Sequence, residues 1–348
     1  MIFYTGSYTI REGSPAPNPT GKGIGRFEFD PGSGEFSQLD FTWQRSPSYL
    51  FVSKNKKYLY AVEECIENLS PKIFAYEIGS IGELSLLNFQ KIDGAYACHL
   101  CEANKQMIIA NYMTGNALVY PINNDGTLAT SNQMIQHKGS GIHSKRQTKP
   151  HVHMVYPFND RNIFLVDLGL DRALAYSADE QGVWNAVSEN DIYLHPGAGA
   201  RHMDMNNDKS FAYILGELSG EIEVFENTGN GFNSIQRISF LPWEYNGDIS
   251  GAAIRLHPNG KFLYASERGS GTISVFKVNT ASGQLSYIKS EETKGKTPRD
   301  FNIDLTGEWL FAANQDSNLV VAFKIKNDGL LQYASEQHVD TPVCLAFL

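Results

Sequence analysis

The chain has 348 residues, a formal net charge of −9, 12% aromatic residues and 31 glycines. This acidic balance argues against a nucleic-acid backbone or an anionic membrane as the main partner. No apolar run reaches the length of a membrane-spanning helix, and residues 1–8 enter a strand-like pattern with no basic and then apolar leader before it. We therefore expect a cytoplasmic protein with a large core of its own.

The cysteine content argues against a disulfide framework. Four cysteines, Cys65, Cys98, Cys101 and Cys344, are few for a chain of this length. Cys98 and Cys101 have the spacing of a metal-binding pair, but no second pair completes a set of four ligands. We predict buried structural thiols, no metal and no cofactor.

A short strand pattern recurs along the chain. In order, its copies are residues 58–64, 107–111, 163–167, 213–217, 262–268 and 309–315. Each copy is preceded by a strand and a turn, and is followed by a third strand that ends in an aromatic residue: Tyr76, Tyr120, Tyr176, Phe225, Phe276 or Phe323. The steps between these aromatics are 44, 56, 49, 51 and 47 residues, which is the range of β-propeller blades. A fourth strand fits into the rest of each unit.

The two ends of the chain supply a seventh copy. Residues 2–7 have the second-strand pattern, residues 25–29 the third and residues 341–348 the first. Strands from both termini would complete one blade, which closes the ring and leaves no long sheet edge exposed. The sequence predicts an all-β fold, a seven-bladed β-propeller with four antiparallel strands per blade, and one domain over residues 1–348.

Two segments are longer than ordinary blade connections. Residues 136–150 are an insertion within the 56-residue step, and residues 7–23 form a loop rich in Pro and Gly. Long loops on a rigid ring are where binding groups tend to lie. The insertion carries a basic set that would either hold a phosphate above the ring or be a solvated loop: His143, Lys145, Arg146 and Lys149.

Polar residues concentrate at two positions of the repeat, the start of the first strand and the end of the second. These strands are antiparallel neighbours, so both positions lie at one edge of the sheet, and the first strand lines the channel of a propeller. We therefore expect one polar channel mouth. The first strands supply His151, His153, Arg201, Arg255, Arg299 and Asp300. The second strands supply Glu63, Glu64, Asn111, Asp167, Glu217, Glu267, Arg268, Asn314 and Gln315.

This polar set suits acid–base chemistry on an anionic small molecule. Arginines bind carboxylate or phosphate and stabilise an oxyanion, and a histidine beside a carboxylate activates water. His151 and His153 alternate along a strand, so they would face the same ligand. The alternative is that such residues join one blade to the next, which suits His202 and Asp204 best because they are out of step with Arg201. A metal site at the histidine pair is less supported, because no carboxylate has a recognisable ligand spacing.

Eight short motifs are more specific than the blade count. They are residues 146–153 (RQTKPHVH), 167–172 (DLGLDR), 197–202 (GAGARH), 217–219 (ELS), 254–255 (IR), 268–269 (RG), 298–301 (PRDF) and 313–316 (ANQD). Together, over nearly the whole chain, they resemble the seven-bladed propeller lactonases, a family that includes the propeller-type bacterial 6-phosphogluconolactonases and the fungal carboxymuconate cyclases.

The resemblance implies a metal-independent site with four catalytic residues, His153, Arg201, Glu217 and Arg268. It implies hydrolysis of a sugar lactone, above all 6-phosphogluconolactone, with His153 as general base and the arginines binding the anionic substrate. Glu217 would tune the histidine or shuttle a proton. Around these four we expect substrate contacts from Arg146, His151, Arg255, Arg299, Glu64, Asp167 and Gln315.

Two other functions stay open at this point. A lactonising cycloisomerase acting on a carboxymuconate-like diacid would use the same groups, and a non-enzymatic propeller would bind proteins or glycans at its mouth. The chain departs from the family pattern at Ala200, Gly216, Glu63 and Glu267, where a change would alter substrate choice. We expect the partner to be a small anionic lactone, with no nucleic acid or membrane, and the protein to be a monomer or weak dimer.

Overall fold

Seven antiparallel β-sheets surround a central channel in the computed structural model, which describes residues 1–348. We number the sheets as blades along the chain and give the strands of each from the channel outward. Blade 1 comprises Pro342–Phe347, Ile2–Ser7, Ile24–Asp30 and Glu35–Thr42; blade 2, Pro47–Val52, Tyr58–Glu63, Lys72–Ile78 and Leu84–Lys91; and blade 3, Ala97–Ala103, Gln106–Asn111, Asn116–Pro121 and Gln133–Gln136.

The remaining blades follow in the same order. Blade 4 comprises Val152–Asn159, Asn162–Asp167, Arg172–Ala178, Trp184–Ala186 and Ile192–Tyr193; blade 5, Ala200–Met205, Phe211–Gly216, Glu221–Asn227 and Phe232–Ser239; blade 6, Gly251–Leu256, Phe262–Glu267, Thr272–Val278 and Leu285–Glu292; and blade 7, Pro298–Ile303, Trp309–Asn314, Leu319–Ile325 and Leu331–His338. Single turns of 3-10 helix occur at Glu67–Leu69, Ser188–Asn190 and Gln315–Ser317. None of these helices has the length and apolar character needed to cross a membrane.

Blade 1 is built from both ends of the chain, and the predicted seven-bladed all-β fold is confirmed. Its innermost strand, Pro342–Phe347, pairs antiparallel with Ile2–Ser7. The innermost strands of neighbouring blades contact one another all the way round the channel. Second strands such as Phe211–Gly216 and Phe262–Glu267 are buried at every residue, because neighbouring blades cover both of their faces. This two-sided burial explains their nearly continuous apolar sequences.

Blade 4 departs from four strands because its outer edge is divided. Trp184–Ala186 and Ile192–Tyr193 both pair with the third strand, Arg172–Ala178, with a 3-10 turn between them. In the gap, the Asp191 carboxylate accepts a hydrogen bond from the Ala175 backbone N–H at 2.8 Å. A side chain thus replaces the missing ladder partner.

Side chains also satisfy backbone groups on the inner edges of the blades. The Asp204 carboxylate accepts a hydrogen bond from the Leu256 N–H at 2.8 Å, and the Asp300 carboxylate accepts one from the Leu345 N–H at 3.3 Å. Nδ1 of His99 accepts the N–H of Val155 at 3.4 Å. Each bond joins one blade to the next, so these residues stabilise the ring, as expected for Asp204.

Every innermost strand has an irregularity near its start that the sequence pattern did not reveal. Pairing with the second strand shifts by one residue or more after the first position in all seven blades. A β-bulge of this kind redirects the extra side chain. In six blades the bulged residue lies at the channel: Ser48, Cys98, His153, Arg201, Arg299 and Val343.

Phe3→Ala tests the closure of the ring. The Phe3 ring centroid lies 5.4 Å from that of Phe27 in the same blade and 5.5 Å from that of Phe311 in blade 7. The substitution should lower the free energy of unfolding by about 3–5 kcal/mol, because it leaves a cavity where the first and last blades meet. Phe89→Ala is the control, because Phe89 is 47% exposed and should cost about 0.5 kcal/mol. Equal losses in urea denaturation would contradict this account.

Candidate active site

The centre of the channel mouth is a buried carboxylate held by three arginines. Oε1 of Glu217 lies 2.5 Å from Nη2 of Arg146. Oε2 lies 3.0 Å from Nε of Arg201 and 2.9 Å from Nη2 of Arg268. Arg201 and Glu217 belong to blade 5. Arg268 begins the turn between the second and third strands of blade 6, and Arg146 lies in the insertion before blade 4. The predicted catalytic arginines and glutamate are therefore brought together.

The charges in this cluster determine its protonation states. Burial alone would raise the pKa of Glu217, but the charges of Arg268, Arg201 and Arg146 hold it well below its usual range. Burial and the neighbouring charge of Arg268 lower the pKa of Arg201 to about 10. Glu217 therefore stays ionised near neutral pH and is unsuited to shuttling a proton.

The insertion before blade 4 delivers Arg146 to the mouth. The next residue, Gln147, is fully buried and donates hydrogen bonds to the Leu168 carbonyl at 2.9 Å and to Asp171 at 2.6 Å. Nδ1 of His143 accepts the backbone N–H of Arg146 at 3.2 Å. Of the basic set His143, Lys145, Arg146 and Lys149, Arg146 is the residue that pairs with Glu217, and its side chain remains 41% exposed.

A second charged group lies across the mouth. Nη2 of Arg299 is 3.6 Å from Oε1 of Glu64, and the Tyr8 hydroxyl donates to Oε2 of Glu64 at 2.7 Å. The Arg299 guanidinium also lies over the Tyr8 ring, 5.4 Å from its centroid. The mouth thus holds four arginines and two glutamates in a protein whose overall charge is −9.

His153 lies among these groups as a neutral imidazole. Burial, with the charge of Arg201, lowers the pKa of His153 well below its ordinary value. Its ring meets Tyr112 edge to face at 5.6 Å, and His151 stacks on the same tyrosine at 4.4 Å. Nδ1 of His151 bonds to the Tyr112 carbonyl at 2.8 Å. Both predicted histidines therefore meet at Tyr112, which also accepts a hydrogen bond from Arg146.

His202 is placed differently from the sequence expectation. Strand alternation predicted that the side chains of His202 and Arg201 lie on opposite faces of the strand. The β-bulge at Arg201 instead brings both to one small cavity in the channel. The His202 ring centroid lies 5.2 Å from that of His153. The cavity also contains Cys98, one of four cysteines that are all free and buried, as predicted.

Three of the predicted substrate contacts lie elsewhere. Arg255 occupies the far part of its strand, pairs with Asp300 at 3.3 Å and lines a separate cavity of 390 Å³ at the other end of the channel. Asp167 is enclosed by His137 and by the His151 N–H. The Gln315 amide donates to the adjacent Asp316 at 2.9 Å rather than to the arginine cluster.

The positions in each repeat explain which residues face the mouth. The last residue of a second strand secures the local turns: Glu63 accepts the Lys72 N–H, and Glu267 accepts the Ser250 N–H at 2.8 Å. The next residue is the one that reaches the mouth, namely Tyr8, Glu64, Tyr112, Glu217 and Arg268 in five blades. Tyr8 and Tyr112 are not among the predicted site residues, although their place in the repeat is the signal for them.

The departures from the family pattern lie at structural positions. A Cβ at Gly216 would lie 2.7 Å from the Ala198 carbonyl oxygen, so this site favours glycine. Ala200 is fully buried opposite it. No group of three or more His, Cys, Asp or Glu side chains is arranged to hold a metal ion.

Glu217→Gln should destabilise the protein by about 3–5 kcal/mol, because three guanidinium groups lose their shared counter-charge. The pKa of Glu217 is lowered in the folded state, so the stability it provides is present above its ordinary value of 4.5. The difference between wild type and variant in urea denaturation should therefore shrink as the pH falls below that value. Glu226→Gln should change little, because Glu226 is exposed on the same blade. An equal and pH-independent effect of both substitutions would refute this reading.

Known proteins share this fold and sequence pattern. The family model described as Lactonase, 7-bladed beta-propeller, matches residues 2–347. The 6-phosphogluconolactonase of Bacillus subtilis strain 168 is 34% identical over 356 residues, which cover 100% of this chain and 98% of that protein. The 6-phosphogluconolactonase of Formosa agariphila is 32% identical, with 92% of each chain covered. The solved structure of the periplasmic gluconolactonase of Pseudomonas aeruginosa has a TM-score of 0.92 at 26% identity, over 100% of this chain and 98% of that one. This chain belongs to the seven-bladed β-propeller lactonase family.

Proposed function

We propose that the protein hydrolyses a sugar lactone, with 6-phosphogluconolactone as the favoured substrate. The observation that carries this proposal is the mouth itself, where Glu217 holds three arginines around a neutral His153. The surplus of positive charge suits an anionic substrate. The names of the relatives from Bacillus subtilis and Formosa agariphila support the same reaction and substrate.

The proposed reaction begins with water and the lactone carbonyl. His153 takes a proton from water as the water oxygen attacks, and Arg201 and Arg268 stabilise the negative charge that develops on the carbonyl oxygen. The carbon–oxygen bond of the ring then breaks, and the proton passes from His153 to the departing ring oxygen. In this scheme Glu217 positions the arginines and remains ionised throughout.

Arg146 is the proposed ligand of the substrate phosphate. Its guanidinium is partly exposed at the edge of the mouth, whereas Arg201 is buried beneath it. Arginine binds phosphate through two parallel hydrogen bonds, and its pairing with Glu217 fixes the approach. On the opposite side, Arg299 and Glu64 would contact the sugar hydroxyls.

We also propose a cytoplasmic location and an oligomeric state for the protein. Four free, buried thiols suit the reducing cytoplasm. The ion pairs at the mouth form within the chain, and we propose a monomer or weak dimer as the working unit.

His153→Ala should reduce kcat for 6-phosphogluconolactone by about 10²- to 10⁴-fold, because it removes the proposed base. In the wild type, the lowered pKa of His153 keeps the ring unprotonated, so the rate should stay constant as the pH falls from about 8 to 6.5. A lactone hydrolysis assay at controlled pH measures both kcat and its pH dependence. His338→Ala is the control, because His338 is exposed. Full activity of a folded His153→Ala variant would exclude this base. Turnover of a carboxymuconate-like diacid and no lactone would exclude the proposed reaction.

Arg146→Ala should raise KM for 6-phosphogluconolactone by about tenfold or more and change KM for unphosphorylated gluconolactone little, because it removes one charged phosphate contact. Lys145→Ala in the same loop is the matched control, since Lys145 is exposed. Equal effects of Arg146→Ala on the two lactones would contradict phosphate recognition by this residue.

A further inference from the structure

A cavity of 10 Å³ lies in the channel at the level of the inner-strand bulges. This volume is about that required by one water molecule. Its lining includes Glu64 and Arg299 of the mouth, so it adjoins the charged site. It is distinct from the larger apolar cavity that contains Arg255 at the other end of the channel.

Four residues that line this cavity have a buried polar atom without a hydrogen-bond partner in the protein. One is Nε of Arg201, which forms the ion pair with Glu217. The other three are Oγ of Ser48, Nδ1 of His153 and Nδ1 of His202. The three residues come from blades 2, 4 and 5, so the ring brings them together from distant parts of the chain. Buried polar atoms are normally paired, and because these residues line one water-sized space, a shared polar ligand would satisfy them.

The contact with Arg201 indicates which ring nitrogen of His202 carries the proton. Nη1 of Arg201 lies 3.4 Å from Nε2 of His202. A guanidinium only donates, so Nε2 accepts, and the neutral ring carries its proton on Nδ1. Burial and the charge of Arg201 lower the pKa of His202 well below its ordinary value, which favours this neutral form. His202, which lines the cavity, therefore carries an N–H donor without a partner on Nδ1.

We infer that this cavity binds the water that attacks the lactone, and that His202 and Ser48 position it for His153. The inference rests on the proposed lactone hydrolysis. The water oxygen accepts the His202 Nδ1–H, and one water hydrogen points to Nδ1 of His153. On attack, the water oxygen bonds to the carbonyl carbon and its proton moves to His153. The ring carbon–oxygen bond then breaks, and that proton passes to the ring oxygen, which leaves as a hydroxyl.

The first part of the test is structural. A high-resolution crystal structure of the full-length protein should show one ordered solvent molecule within hydrogen-bond distance of Ser48 Oγ and of Nδ1 in both histidines. Solvent density should disappear or shift in His202→Phe, which retains a ring but no donor. A dry cavity in the wild type would overturn the inference whatever the enzyme assay shows.

The second part is kinetic and separates positioning from structural roles. His202→Phe should lower kcat for 6-phosphogluconolactone by about 10- to 100-fold and Ser48→Ala by about tenfold, with KM changed by about twofold or less, since a misplaced nucleophile slows chemistry more than binding. His202→Asn, which can place a donor near the Nδ1 position, should recover part of the lost kcat.

Two substitutions provide matched controls. Thr5→Val and Tyr213→Phe each remove a buried hydroxyl that lacks a partner but lies outside this cavity, and both should keep wild-type kcat. Unchanged kcat in folded His202→Phe and Ser48→Ala would show that the bound water is structural only, and would overturn the inference while lactone hydrolysis stands. If the wild type hydrolyses no lactone, the proposed function itself fails, and the nucleophile assignment fails with it.

Discussion

The inner edges of seven sheets face one narrow channel, and their backbone groups have no further strand to pair with. The fold meets this constraint with side chains that reach from one blade to the next, including Asp204, Asp300 and His99. The bonds made by Asp204 and His99 lie beyond the bulges along the innermost strands. The polar groups that these bonds leave available for chemistry lie nearer the mouth, where the bulges occur.

The β-bulges bring ionisable side chains into the central channel. By redirecting the second residue of each innermost strand, they place His153, Arg201 and Arg299 in the channel together. Glu217 balances part of the resulting charge and holds three arginines near fixed positions. The same charge, added to burial, keeps His153 neutral, so the arrangement that attracts an anion also preserves a base.

The structure brings together several predicted site residues that hold recurring places in the repeat, and it places others apart from them. Arg201, Glu217 and Arg268 occupy recurring places beside the mouth, and the structure joins them. Arg255 was assigned to the mouth although it lies four residues beyond the first residue of Gly251–Leu256, and it instead pairs with Asp300 lower in the channel. Strand alternation also predicted the wrong side of the strand for His202. The extra residue in the bulge, Arg201, reverses the side on which all later residues of the strand lie.

The sequence by itself determined the number of blades, the closure of the ring by both termini and the family, because these follow from repeat spacing and from motifs spread along the chain. Only the tertiary structure decided which polar residues share a site. Glu217 and Arg146 are separated by 71 residues in the chain and by 2.5 Å in space. Likewise, the partners that Tyr8 and His202 find depend on bulges and long loops whose geometry is set by packing between blades, and local sequence patterns carry no record of that packing.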